Sequence, residues 1–461
     1  MLDISTVIQN EKTNKILLLS TAIFMMGILT LKTFMSSDVL ELTLLSLTLV
    51  LLIFHYIISN KSITIYRIEI MWFLFLVYFV FNILYQGRFM KNHILDIFIF
   101  TFIFLLLLLY KVNVNYFITA FKAIFIFSFV YALSAIFQYL YMDLYSKYVL
   151  YRFNDNQIEE ILRLIRNGNY TGFTSQTAYL AGFLVFGIGV VVILYKNIVK
   201  KFYHILFIIS IPLLFYSLLL TGKRAHLLFM FISLIITFLF STEIKKFFNQ
   251  FMKVIIGIGF FLLAIIFIFA NYTPNVESQF GKVYFRIEST IEGFIAGEDV
   301  TSGRVYLYEH ALNLFNEAPI LGIGWRGFYE SSLGVINLNK LSHPHNIYIQ
   351  LLTELGIVGF LLFMIPVVYA FIRTIKLLMN TNTLFKYDLR WKVALQYSLF
   401  IQSFFLLYGI TGNLLTDHIF LLMYFFAVTI TLSSMKYAKL EQMNTIKSSN
   451  QNIDSSFSVS R

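Results

Sequence analysis

Apolar runs, each long enough to cross a bilayer, recur along this 461-residue chain and leave it few folds to adopt. Hydrocarbon offers backbone N–H and C=O groups no partners, so a spanning segment must be a helix of about 20 residues. The pattern predicts twelve such helices, at 16–35, 39–58, 66–85, 93–112, 116–142, 174–195, 203–221, 224–240, 251–270, 346–372, 393–412 and 415–435. Composition agrees: 59% of residues are hydrophobic and only 13% charged, against about 25% charged in a soluble domain. The reading is an all-α polytopic membrane protein. With no cysteine in the chain, disulfides, thiolate catalysis and cysteine zinc sites are excluded.

The formal net charge of +11 matters less than its sidedness. An even number of spans returns both termini to one side. With that side inside, the short cytoplasmic loops hold Lys61 and Arg67, then Lys196, Lys200 and Lys201, then Lys245, Lys246 and Lys253. Arg373, Lys376, Lys386, Arg390 and Lys392 continue the series, with Lys436 and Lys439 after the last span. In the outer loops Asp38, Glu41, Asp143, Asp155, Glu159 and Glu160 balance the cations. Met1 to Lys15 is polar and shows no cleavable signal pattern. The expected organisation is therefore transmembrane helices one to nine over 1–270, with an outer amphipathic segment at 143–173. A large, partly helical extracytoplasmic loop follows at 271–345, helices ten to twelve at 346–435, and a disordered, Ser/Asn-rich cytoplasmic tail at 436–461. No inverted repeat of the transporter kind stands out.

Both outer segments contain a helical pattern. In the first, Asn156 with Glu159 three residues on marks a capped start, Ile158, Ile161, Leu162 and Ile165 form one face, and Gly168 ends it. It reads as a helix lying on the outer membrane surface, with Arg163 and Arg166 either simply solvated or turned to anionic headgroups or substrate. In the second, Thr301 or Ser302 caps a helix with Val305, Tyr308, Leu312 and Phe315 at helical spacing, and Glu317-Ala318-Pro319 stops it. Gly322, Gly324 and Gly327 then mark a turning backbone, and His343-Pro344-His345-Asn346 stands at the mouth of helix ten.

Charges inside lipid are costly, so their positions carry information. Asp96, Lys122 and Glu354 each lie near a span end, and Asp417-His418 opens the last span. No charge is stranded in mid-membrane, which weighs against an ion-coupled transporter. Lys223 and Arg224 break the charge rule, two cations in a short outer turn; they are either snorkelling anchors or ligands for a lipid-linked phosphate. Arg304 is either a solvated helix residue or, in a helix first turn, an anion ligand. His345 reads as a structural residue or as a proton acceptor, and His343 as a lesser partner. Two histidines so spaced, without a clear carboxylate, do not make a metal site. Trp325, Tyr306, Tyr329 and Tyr348 fit an interfacial aromatic belt first and a sugar platform second.

In this order the segments resemble the O-antigen ligase and polysaccharide polymerase family of bacterial envelope glycosyltransferases. The matching pieces are Gly168-Asn169-Tyr170-Thr171-Gly172-Phe173, Thr221-Gly222-Lys223-Arg224-Ala225, Ser302-Gly303-Arg304 with Tyr306-Leu307-Tyr308, and Pro319-Ile320-Leu321-Gly322-Ile323-Gly324. The strongest piece is His345-Asn346 followed by Gly356 and Gly359. Tyr308 stands where the family often has Trp, and Lys223 where it has a small residue.

The resemblance implies a GT-C-like, metal-independent, inverting glycosyltransferase without cofactor, in the cytoplasmic membrane with its active site on the extracytoplasmic face. Its donor and acceptor would be glycans on undecaprenyl diphosphate, beside membrane lipid, a flippase and a chain-length regulator; nucleic acid is not a partner. By the same resemblance Arg224 and Arg304 hold the diphosphate and His345 acts on the acceptor hydroxyl. Lys223, Arg286, Arg326, Tyr308, His343, Asn346 and Glu354 complete the expected substrate-binding set. The leading expectation is a polymerase of O-antigen or capsule repeat units, and the alternative is a ligase that moves finished glycan to a lipid or protein acceptor. A polysaccharide exporter and a membrane scaffold rank below both.

Overall fold

The computed structural model describes residues 4–35, 37–59, 63–85, 87, 91–195, 201–241, 292, 303–335, 341–385 and 388–458. Among these the regular structure is helical. The first ten helices are α1 Ile4–Leu29, α2 Asp38–Ser59, α3 Arg67–Tyr85, α4 Lys91–Leu109, α5 Val114–Leu140, α6 Met142–Tyr148, α7 Asp155–Arg166, α8 Thr177–Tyr195, α9 Lys201–Leu220 and α10 Arg224–Phe240. After them come α11 Arg304–Glu317, α12 Gly327–Ser331, α13 Ile347–Met379, α14 Thr381–Leu384, α15 Arg390–Tyr408 and α16 His418–Ser458. Among the described residues, seven helices are long and apolar enough to cross a membrane, and Thr13–Leu29, Ile205–Leu220 and Arg224–Phe240 are shorter apolar helices. Eleven of the twelve expected spans coincide with helices. The twelfth, 251–270, lies outside the described residues, as do Arg286, Thr301 and Ser302. α16 runs on to Ser458, through the stretch expected as a disordered tail.

Burial sorts the helices. The apolar window of α16 is 94% buried and that of α8 83%, whereas α2 buries 28% of its own. α16 and α8 are therefore central, and α2 turns most of its side chains to lipid. Lipid tails are as apolar as leucine, so close fit and buried hydrogen bonds must hold such helices together. One cluster does this for three of them: Gln402 of α15 donates to Thr374 of α13 (2.9 Å) and to Ser398 (2.9 Å), Thr374 pairs with Thr431 of α16 (2.7 Å), and Ser398 donates to the Ala427 carbonyl (2.6 Å).

One end of the bundle is tied by loops. Gln138 of α5 accepts from the N–H groups of Thr171 and Gly172 (2.8 and 2.7 Å), and Tyr145 donates to the Gly172 carbonyl (2.6 Å). The Phe34 and Ser175 N–H groups join this loop to the one after α1, and the Tyr170 N–H reaches Leu220 O at the end of α9. α7 packs here too, but not as expected. Its cap is Asn154, which accepts from the Gln157 N–H (2.9 Å) and receives the reciprocal Gln157 contact; Asn156 is already inside the helix. Its apolar face packs on protein: Ile161 is fully buried, with Ile158, Leu162 and Ile165 around it, against Tyr145, Val149, Leu150 and Phe153.

The sharpest feature is a break in α13. At Gly356 the backbone leaves the helix with φ 65° and ψ −174°, a region essentially reserved to glycine. The loop from Pro319 to Gly324 fills the gap. The N–H groups of Ile323 and Gly324 donate to Thr353 O and Glu354 O (both 3.0 Å), and those of Ile357 and Val358 donate to Pro319 O (2.9 Å) and Ile320 O (3.3 Å). From α3, Tyr78 donates to Leu355 O (2.7 Å) and Asn82 to Leu321 O (2.8 Å). A Cβ on Gly356 would stand 2.2 Å from Ile320 O, and one on Gly322 2.4 Å from Glu354 O. Gly356 and Gly322 are thus explained by backbone against backbone. Gly356→Ala is expected to destabilise the folded protein by at least about 3 kcal/mol, read as a lower unfolding temperature in detergent.

Candidate active site

α11 carries the first expected site residue. Its N-cap is Gly303, in the left-handed region at φ 82°, rather than Thr301 or Ser302, and Arg304 is its first residue. The helix ends at Glu317 as the Ala-Pro sequence requires. Its inward face is the opposite of the expected one: Leu307 and Ala311 are fully buried against Phe328 and Ile349, while Val305 and Leu312 are 41% and 52% exposed. Both stripes are apolar, so periodicity could not choose between them. A bond from Thr353 Oγ1 to Ala311 O (3.1 Å) fixes the choice by docking the helix on α13. Tyr308 is therefore half-buried, off the packed stripe.

Asn346 caps α13, its Oδ1 accepting from the N–H groups of Tyr348 (2.9 Å) and Ile349 (3.2 Å). The preceding residue, His345, is held left-handed at φ 52°, an arrangement that costs a non-glycine residue about 1–3 kcal/mol and gathers at functional sites. Its N–H donates to Asn413 Oδ1 (2.9 Å), and the Ile347 N–H donates to Gly409 O (2.9 Å), so the turn before α16 fixes the loop. Lys32 and Arg326 share the left-handed conformation, and all three belong to loops at this end of the bundle.

The electrostatics are those of a cationic cluster. Burial, and then the charges of Arg304, His343 and Lys223, push the His345 pKa down to about 4, so its imidazole is neutral at neutral pH. Burial followed by Arg304 also lowers the Lys223 pKa, against the pull of Asp417 and Glu160. Burial drives Asp417 up to about 6, although Tyr179, His418, Lys32 and Lys223 all favour its charge; Tyr179 donates to its Oδ1 (3.2 Å). Arg304, Lys223 and His345 therefore share one electrostatic neighbourhood, with Asp417 as its acid. Arg224 is exposed at the first residue of α10, and the charge of the adjacent Lys223 acts on His345. Arg163 pairs with Glu160 (2.6 Å) on the surface of α7.

Other members of the expected set build the frame. Arg326 forms a two-pronged pair with Asp96 of α4 (Nε–Oδ2 2.6 Å, Nη2–Oδ1 3.0 Å). Burial opposes the Arg326 charge, but Asp96, with Glu354 behind it, raises its pKa. Trp325 is 3% exposed and donates Nε1–H to the same carboxylate (2.7 Å), so it is neither belt nor sugar platform. His418 bridges Asp96 (3.8 Å) and Glu41 of α2 (3.1 Å). His343 stacks on Tyr329 at 4.5 Å, and burial, then Arg326, lowers its pKa to about 4. Glu354 is fully buried and accepts from Gln350 (3.1 Å). A cavity of about 620 Å³ opens on another face of the 319–327 loop, beside Tyr85, Glu317 and Ser331, and neither Arg304 nor His345 lines it. Asp96, Asn413 and Asp417 were missed as site residues; their one signal was polar or acidic chemistry at a span end.

Comparison with known proteins falls on the same stretch. Residues 209–364 match a family model described as O-antigen ligase, and this interval contains Lys223, Arg224, Arg304, His345 and Glu354 but not the Gly168–Phe173 piece. A Rickettsia conorii protein provisionally named a polysaccharide ligase is 25% identical over 210 residues, 41% of this chain and 46% of that protein. A Rickettsia felis protein with the same provisional name is 24% identical over 188 residues, 36% and 44% of the two chains. The match spans a little under half the length of these relatives. The resemblance to the O-antigen ligases thus holds over 209–364, and both relatives carry the ligase name. Of the two readings of the sequence, the ligase alternative fits these findings better than the polymerase.

Proposed function

From the O-antigen ligase match over residues 209–364, we propose that this membrane protein is a ligase-type glycosyltransferase. It moves a glycan from undecaprenyl diphosphate to a hydroxyl of a lipid or protein acceptor, at the extracytoplasmic end of the bundle. The observation that carries the reading is the neutral His345 held in a strained turn under the charges of Arg304 and Lys223. In this mechanism His345 takes the proton of the acceptor hydroxyl as its oxygen attacks the anomeric carbon. The glycosyl bond to the diphosphate breaks on the opposite side, inverting that carbon. Arg304 and Lys223 meet the negative charge that the departing diphosphate gains; with two cations so placed, the reading needs no metal.

Arg304→Gln is the direct test. The variant should remain in the membrane, lose about 100-fold or more in transfer, and leave long glycan on the carrier. Accumulation of single repeat units would point to the polymerase, and unchanged transfer would refute the assignment.

The pKa of His345 sets a second expectation. A base works only when deprotonated, and the folded-state value is about 4 against an ordinary 6.5. The acid limb of kcat/KM should therefore lie near pH 4, with little loss between pH 7 and pH 5. Stability runs in the same sense: the unfolded chain takes up this proton first, so acid weakens the fold between pH 6.5 and pH 4. A limb at 6.5 would mean that another group is the base.

A further inference from the structure

The opposite end of the bundle holds a second, differently built cavity, of about 630 Å³, between the ends of α3, α13 and α16. Four cations line it: Arg67 from α3, Arg373 and Lys376 from α13, and Lys439 from α16. No carboxylate is among its lining residues. The nearest acid at the start of α3, Glu69, is committed to a fully buried pair with Lys111 and accepts from the Tyr66 N–H. Among the described residues none of the four cations has an ion-pair partner, and the buried Nε of Arg373 has no hydrogen-bond acceptor. A cation in the last turn of α13 is explained by that helix's own carbonyls, as Lys376 is. That explanation does not reach Arg67 or Lys439, which come from other helices, nor the orphaned Arg373 donor.

Like charges converging on one hollow repel each other unless an anion joins them. Phosphate suits the set, since guanidinium donors and ammonium charges both match its oxygens. The remaining wall is apolar, with Leu377, Leu384, Met435 and Ala438, and Tyr66 and Tyr369 flank it. A soluble phosphate has no use for that wall; a phosphate with acyl chains does. We infer that this cavity binds the phosphate headgroup of an anionic membrane lipid, from the leaflet opposite the His345 end. Basic hollows between membrane helices are built for such headgroups. The site lies outside the proposed catalytic machinery and does not depend on it.

The test uses the purified full-length protein in detergent, with native mass spectrometry following retained lipid. Phosphatidylglycerol is titrated against phosphatidylcholine, with inorganic diphosphate in a separate arm. The wild type should keep one phosphatidylglycerol in preference to phosphatidylcholine. Arg373→Gln with Lys376→Gln should weaken that binding about 30-fold, and the exposed Lys439→Gln alone about fivefold. Binding of phosphatidylglycerol that neither variant weakens overturns the site. Diphosphate binding that the variants weaken, without any preference for phosphatidylglycerol, overturns the lipid as its occupant.

Discussion

Replacing His345 with alanine is expected to lower glycosyl transfer about a thousandfold, the usual worth of a general base, with the protein still folded in the membrane. The side chain belongs to no hydrophobic core cluster, so its loss leaves the packing of the bundle intact. What holds the loop is its backbone: the His345 N–H to Asn413 and the Asn346 cap, neither of which needs an imidazole. His345→Asn separates chemistry from strain. Asparagine tolerates the left-handed backbone and so preserves the turn, yet it accepts no proton, and it should be as inactive as alanine. The measurement is transfer from a purified lipid-linked donor, with variant levels in the membrane determined alongside. An asparagine variant with ordinary activity would remove His345 from the mechanism.

The second large effect is on stability. Arg326→Met leaves the Asp96 carboxylate, 2% exposed, without the guanidinium that pairs with it. Removing one partner of a buried pair costs about 3–5 kcal/mol, because the other is left charged and poorly solvated. Trp325 and His418 still contact Asp96 and soften the loss without replacing the guanidinium. Asp96→Asn combined with Arg326→Met should regain much of it, since no isolated charge then remains. Thermal unfolding in detergent reads both. A single variant as stable as the wild type would mean that Asp96 takes up a proton instead. Because Arg326 and Trp325 anchor the loop after Gly324, the single variant should also lose transfer activity.

The bundle could be read from sequence because lipid permits so few solutions: a long apolar run must be a helix, wherever its partners lie. Orientation of each helix about its own axis was less accessible. α11 offers two apolar stripes, and what buries Leu307 rather than Val305 is α13, reached only after the chain has turned back. The frame of the site was hidden for a similar reason. Asp96 and Arg326 are 230 residues apart, and nothing local to either announces the other. Arg304 and His345 were legible through helix starts and motif order. The roles of Arg224 and Lys223 came from resemblance alone, because nothing local distinguishes two adjacent cations at the start of a helix. Gly356 was legible as a motif residue but not as a helix break, because the apolar run continues past it from Ile357 to Ile365.

That break also bears on what passes through the membrane. In carriers built on interrupted helices, the freed carbonyls are left open to coordinate a travelling ion. Here the carbonyls of Thr353, Glu354 and Leu355 are taken by Ile323, Gly324 and Tyr78. The gap is sealed with polypeptide, and a sodium ion would have to evict three donors to lodge there. The loop and the upper half of α13 must therefore move as one piece or not at all, the construction of a workbench rather than a turnstile.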